Sequence, residues 1–364
     1  MYDLVIRGGT IVDGTGDASF VGDLAIEKEK IVQVGGDIGP GEKELDAGGL
    51  LVTPGFVDVH THYDGQATWD QHLTPTGWHG VTTVVMGNCG VGFAPARPDQ
   101  HDWLIQLMEG VEDIPGSALA EGINWDWETF PEYLDALEKF DRSIDIGTQI
   151  PHGAVRAYVM GERSDQVATP DDIEKMSLIV EEALGAGALG FTSSRTMLHR
   201  AKDGEPVPGT FAGHDELMSL GRACGRAGHG VFEISSDFGL GGMHGRFRED
   251  VDWMSALSKE TGLPISFILA QASHHPDEWR EILRWTEQAV SAGANLRAQV
   301  AARPAGMLMN FDNPMHPFKG HPTYLKVAAL SLEDKVKALS VPMTRKQLVE
   351  ESSTLKGKFD SFFV

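Results

Sequence analysis

Two histidines one residue apart, His60 and His62, are the side chains in this sequence whose spacing most suggests chemistry. They close the apolar run 56–59, which reads as a buried strand. Side chains alternate along a strand, so both imidazoles share one face about 7 Å apart and can converge on one ion. A pair of ordinary satisfied histidines is the competing reading of any His-x-His. Context favours ligands, because Val52-Thr53-Pro54-Gly55 turns the chain into the strand and the pair sits at its carboxyl end, where α/β barrels place their chemistry.

Arg195 closes another apolar segment after Ser193-Ser194, and its planar fork suits a substrate carboxylate. A structural ion pair is the alternative, and Arg303 has the same two readings with weaker placement. The polar stretch 198–209 is long enough to act as a lid. The glycine-rich stretch 239–245 lacks the Gly-Lys-Ser/Thr ending of a phosphate loop and reads as a flexible active-site loop.

The elements that must position these groups fall into three stretches. Residues 1–50 read as a small β module of short strands punctuated by glycine. From 51 to 330 strands alternate with helices, which argues for parallel βα units and an α/β fold, a TIM-like (β/α) barrel. Seven strands are countable, near residues 56, 80, 144, 187, 230, 264 and 295. Residues 331–364 read as a helical tail, with charged helices at 332–340 and 344–351 and no eighth strand. A closed barrel needs that strand, so the expectation is an incomplete barrel on a chain cut short, whose open edge invites homo-oligomerisation.

Composition bounds the rest. A net charge of -23 over 364 residues repels phosphate backbones and argues against a nucleic-acid partner. No apolar run is long enough to span a membrane. Cys89 and Cys224 are too few for a disulfide framework, which fits a reducing cytoplasm. The first residues enter a strand pattern at once, with no signal peptide visible.

Asp13-Gly14-Thr15-Gly16, the run Pro54-Gly55-Phe56-Val57-Asp58-Val59-His60-Thr61-His62-Tyr63-Asp64 and Gly87-Asn88-Cys89-Gly90 together resemble the amidohydrolase superfamily, and within it the N-acyl-D-amino-acid deacylase (D-aminoacylase) branch. His152-Gly153-Ala154-Val155-Arg156 and Ala186-Gly187-Ala188-Leu189-Gly190-Phe191 extend the similarity, which reaches to about residue 330. The resemblance implies a metal-dependent-hydrolase barrel with an amino-terminal β-sandwich module. It implies one or two zinc ions at the barrel mouth and a metal-activated hydroxide that attacks the amide carbonyl of a small-molecule substrate. His60 and His62 match first-strand ligands, Cys89 matches the thiolate that replaces the carbamylated lysine of other branches, and His152 resembles a substrate-side histidine. A lone cysteine is otherwise a small buried hydrophobe, and His152 otherwise satisfies backbone groups in a turn.

The sequence also departs from that pattern. Strands five and six carry no histidine; Glu233 takes an inward position on strand five, as a ligand or as a support behind one, and His274 and His275 follow strand six, where a helix start is the alternative. The family's strand-eight aspartate has no counterpart before Val364, so the catalytic acid-base stays unassigned and the chain alone is expected to be a poor hydrolase. The expected activity is hydrolysis of a non-peptide amide C–N bond, with N-acyl-D-amino acids as substrates. A cyclic-amide hydrolase of the hydantoinase or dihydropyrimidinase kind is the rival, against which the lysine-free strand four and Cys89 count. A non-catalytic relative is the third reading.

Overall fold

The computed structural model describes residues 1–112, 114–238, 244–272, 275–301, 311 and 316–351. It divides into two compact units, Met1–Asp58 with Thr74–Thr83, and Val59–Leu73 with Val84 onwards.

In the first unit, strands β1 (Tyr2–Ile11), β2 (Phe20–Glu27), β3 (Lys30–Val34) and β4 (Gly41–Asp46) form a sheet ordered β3-β2-β1-β4, with β5 (Leu51–Val52) also on β1. The hairpin β1–β2 is antiparallel and shifts register between Ile6 and Gly9, whereas β4 and β5 run parallel to β1. Gly9 is required at that irregularity, since a Cβ there would stand 2.4 Å from Val52 Cγ2. Val5, Ala25 and Ile38 form a small buried cluster, while Val21, Ile31, Leu45 and Leu51 remain exposed.

Eight strands follow at the seven positions the sequence predicts, two of them, at Asp145–Thr148 and Ile150–Pro151, sharing the third. β6 (Phe56–Asp58), β7 (Val81–Met86) and β8 (Asp145–Thr148) form one sheet in that order. A second sheet runs through β9 (Ile150–Pro151), β10 (Gly190–Ser194), β11 (Val231–Ser235), β12 (Ile265–Ile268) and β13 (Leu296–Gln299), all parallel. The expected burial of the first strand is corrected: Phe56, Val57 and Val59 are at least 50 % exposed, and among the described residues β6 pairs with β7 alone.

Register across the second sheet sorts its side chains by chemistry. Phe191, Phe232 and Ile265 are aligned neighbours and buried, whereas the adjacent row on the opposite face reads Thr192, Glu233, Ser266 and Arg297. Gln299, two residues beyond Arg297, shares that polar face by strand alternation.

The connecting helices are α1 (His101–Glu112), α2 (Gly116–Gly122), α3 (Phe130–Glu138), α4 (His152–Met160), α5 (Pro170–Ala186), α6 (His214–Ala227), α7 (His244–Thr261) and α8 (Glu278–Ser291). α5 begins with a reciprocal capping box, Thr169 with Asp172, and proline at its first position. Three short helices end the described chain, α9 (Pro322–Leu325), α10 (Leu332–Ser340) and α11 (Pro342–Glu350), packed around Tyr324, Leu339 and Leu348. Arg303, His274 and the stretch 239–243 lie outside the described residues.

Candidate metal centre

His60 and His62 do not share a strand face. β6 ends at Asp58, and both histidines lie in the irregular backbone beyond it, their ring centroids 5.5 Å apart. What fixes them is Thr61, the residue between: its backbone N–H and its hydroxyl both donate to the Val85 carbonyl, at 2.9 and 2.8 Å. Asn88, fully buried, donates from Nδ2 to the carbonyls of Thr61 and Val85 and accepts from Gln149 Nε2. One buried amide thus ties the histidine segment to the end of β7.

Cys89 follows Asn88 in a left-handed conformation, φ 58°, between Gly87 and Gly90. Neither glycine has room for a side chain: a Cβ at Gly87 would meet Gln149 O at 2.1 Å, and one at Gly90 would meet Ser194 N at 2.8 Å. A non-glycine residue held at positive φ inside so tight a turn is the kind of strain that accumulates at functional sites. The turn aims the thiol at the histidines, with His60 Nε2 3.1 Å from Cys89 Sγ.

The structure brings donor atoms of His60, His62 and Cys89 within 4.8 Å of one another, and likewise those of Cys89, Glu112 and His199. His62 Nε2 is 3.2 Å from Glu112 Oε1. Nδ1 of His62 and Nδ1 of His199 are buried with no hydrogen-bond partner. Withdrawal from water pushes the His62 imidazole down to about 3 and that of His199 to about 4, with His60 adding to the effect on His62. Burial, followed by the nearby Glu233 and Glu112 carboxylates, holds the Cys89 thiol well above its usual range. Neutral imidazoles and a buried thiol are the protonation states from which a soft divalent cation takes its ligands, releasing the thiol proton.

Around these donors stand supporting groups. Gln299 Oε1 is 2.9 Å from His60 Nδ1; an amide oxygen only accepts, so Nδ1 carries the proton and Nε2 presents its lone pair. Glu233, expected as a ligand, belongs to neither donor set. Its Oε2 accepts the Cys89 backbone N–H at 3.1 Å, and Oε1 lies 3.9 Å from His60 Nδ1 without a hydrogen bond. Glu233 therefore stands behind the cysteine turn as a support. Burial raises its carboxyl to about 8, and that of Asp64 equally, with Asp64 Oδ2 also unpartnered.

The two expected substrate residues are committed elsewhere. His152 is not in a turn: it opens α4, is fully buried, and has Nδ1 2.9 Å from Ser193 Oγ and Nε2 2.9 Å from Glu216 Oε1. Glu216 also pairs with Arg156. Arg195 donates to Asp250 Oδ1 at 3.2 Å and to the Ala212 carbonyl at 3.1 Å, in a buried site, so the ion-pair reading describes its surroundings. Glu112, His199 and Gln299 are the residues that sequence reasoning missed. His199 lay in view in the 198–209 loop, but nothing in the sequence ties that loop to the end of α1.

Comparison with known proteins gives the family. Residues 43–342 match the profile of the Amidohydrolase family. A D-aminoacylase of Alcaligenes xylosoxydans xylosoxydans is 34 % identical over 53 % of this chain and 37 % of its own length. An N-acyl-D-glutamate deacylase of the same organism is 29 % identical over 89 % of this chain and 58 % of its own length. Among solved structures, a D-aminoacylase described for the functional role of its binuclear metal centre superposes with a TM-score of 0.67 at 26 % identity, covering 82 % of this chain and 58 % of the other. The chain thus spans between about a third and three fifths of these relatives. With its profile match running from the β module through the barrel strands and into the final helices, the chain belongs to the amidohydrolase family.

Proposed function

We propose that this chain carries the metal centre of a zinc-dependent hydrolase that cleaves the amide C–N bond of N-acyl-D-amino acids. The observation that carries this reading is the convergence of His60, His62 and Cys89 within 4.8 Å in a chain of the amidohydrolase family. Two imidazoles and a thiol are a zinc-type donor set, and the unpartnered His62 Nδ1 and Glu233 Oε1 mark a buried polar site that is incomplete by itself. When bound, zinc supplies Lewis acidity to a weakly electrophilic amide carbonyl and a nucleophile at neutral pH.

The chain's own residues do the positioning. Gln299 fixes the tautomer and plane of His60, and Glu233 holds the Cys89 turn through its backbone N–H. Asn88 and Val85 keep Thr61, and with it both histidines, at the end of β7. The D-amino-acid preference is supported by the relatives, whose names include D-aminoacylase, N-acyl-D-aspartate deacylase and N-acyl-D-glutamate deacylase.

The test is hydrolysis by the zinc-loaded chain of N-acetyl-D-amino acids, their L-enantiomers and hydantoins, measured beside its zinc content. Turnover of the D-series alone supports the proposal. Turnover of hydantoins alone transfers the chain to the cyclic-amide reading, and failure to bind zinc together with an unperturbed Cys89→Ala variant transfers it to the non-catalytic one.

A further inference from the structure

Thr192, on β10, closes the turn that presents Cys89. In a four-residue turn the first carbonyl and the last N–H commonly bond to each other, and here those groups belong to Gly87 and Gly90. The Thr192 hydroxyl stands between them, donating to the Gly87 carbonyl at 2.5 Å and accepting the Gly90 N–H at 3.1 Å. One hydroxyl thus serves as donor and acceptor at once and takes the place of the direct bond. Thr192 is fully buried in the middle of its strand, and its β-branched side chain has few rotamers in which to place that hydroxyl.

Glu233 is the aligned partner of Thr192 on β11 and accepts the Cys89 N–H at 3.1 Å. Two neighbouring residues on one sheet face therefore hold the Gly87 carbonyl and the N–H groups of Cys89 and Gly90. Ser193, the next residue of β10, points to the opposite face, where its hydroxyl lies 2.9 Å from His152 Nδ1. Without the Thr192 hydroxyl, two buried backbone groups of the turn lose their partner. They flank a cysteine whose φ of 58° is strained and relaxes once the turn is released.

We propose that Thr192 is a positioning residue, whose hydroxyl fixes the Cys89 turn and so keeps the thiol beside His60 and His62. Its use in holding a cation rests on the metal-centre reading above. Three variants of the full chain test it. Thr192→Val removes the hydroxyl and keeps the shape, Thr192→Ser keeps the hydroxyl, and Ser193→Ala removes the neighbouring buried hydroxyl that does not touch the turn. The first measurement needs no metal: the chelator-stripped chain is alkylated with iodoacetamide at fixed pH and the labelled peptides are quantified by mass spectrometry. Cys224, buried in α6, reports any general loosening of the fold. Thr192→Val is expected to raise the Cys89 rate by about tenfold or more, the order set by leaving two buried groups unpaired, with the Cys224 rate unchanged. Thr192→Ser restores the wild-type rate, and Ser193→Ala does not single out Cys89. In a chelator titration Thr192→Val is expected to bind zinc about 10–100-fold more weakly and, loaded with cobalt(II), to lose intensity in the sulfur-to-cobalt charge-transfer band, whereas the other two variants keep both. A Cys89 rate that stays constant, rises in step with Cys224 or rises equally in Ser193→Ala overturns the proposal, as does failure of Thr192→Ser to restore it. Zinc held by Thr192→Val as tightly as by the wild type overturns the positioning role as well. A selective Cys89 response in a wild-type chain without affinity for zinc overturns the metal-centre reading and leaves the hold of Thr192 on the thiol standing.

Discussion

Cys89 is held in a strained backbone by neighbours that leave no room for relaxation, and its thiol is kept protonated by burial and nearby carboxylates. Both features are unfavourable without a cation and become useful with one, since the metal takes the thiolate and fixes the turn. Gln299 acts one step further out, by fixing the lone pair of His60 Nε2. Outer partners of this kind are worth about 10–100-fold in metal affinity, so Gln299→Leu is expected to weaken zinc binding by about that factor in a competitive chelator titration. Cys89→Ala, which deletes a donor, should weaken it further than Gln299→Leu in the same titration. Equal affinities for wild type and both variants would remove these residues from the metal centre.

At the scale of elements, α4 shows how packing overrides what the sequence suggests. His152-Gly153 after Pro151 reads as a turn, yet the chain enters a helix there without a connecting loop. Gly153 permits it: its N–H donates to the Gly90 carbonyl at 2.9 Å, and a Cβ would stand 2.7 Å from that oxygen. Alanine is intrinsically the better helix former by about 1 kcal/mol, but Gly153→Ala is expected to destabilise the chain and loosen the Cys89 turn, seen as a lower thermal midpoint together with weaker zinc binding. The strands were legible because glycine-flanked apolar runs of fixed length leave few alternatives, and the capped helix α5 because Thr169-Pro170 and Asp172 are local signals. α1 carried no such signal, and its contact with the 198–209 loop joins residues about ninety positions apart, so Glu112 and His199 could not be tied to the other three donors. The same cap of α5 gives a pH prediction. Arg163, then the N–H and hydroxyl of Thr169, hold the Asp172 carboxyl well below the usual carboxylate range. A depressed folded pKa stabilises above the ordinary value of about 3.9 and stops doing so as pH falls below it. Asp172→Asn should therefore lower the midpoint of urea unfolding at pH 7, with the gap to wild type narrowing steadily below about pH 4.

At the scale of the whole molecule, the donors of the second unit come from places far apart in the chain. His60 and His62 follow β6, Cys89 follows β7, Glu112 ends α1, His199 follows β10, and the supports Glu233 and Gln299 lie on β11 and β13. An unfolded chain cannot hold these groups together, so a cation that binds them binds the folded state preferentially and stabilises it by mass action. Free zinc at about 100 times its dissociation constant contributes about 2.7 kcal/mol, which for a unit of this size raises the thermal midpoint by about 4 °C. Calorimetry of the chelator-stripped chain over a zinc series should therefore show a midpoint that climbs with the logarithm of free zinc. Cys89→Ala should flatten that climb, because the sulfur common to both donor sets is gone. His199→Gln should reduce its slope without abolishing it, because His60, His62 and Cys89 remain. A midpoint insensitive to zinc in the wild-type chain would mean that these donors, although gathered by six separate elements, do not close on an ion.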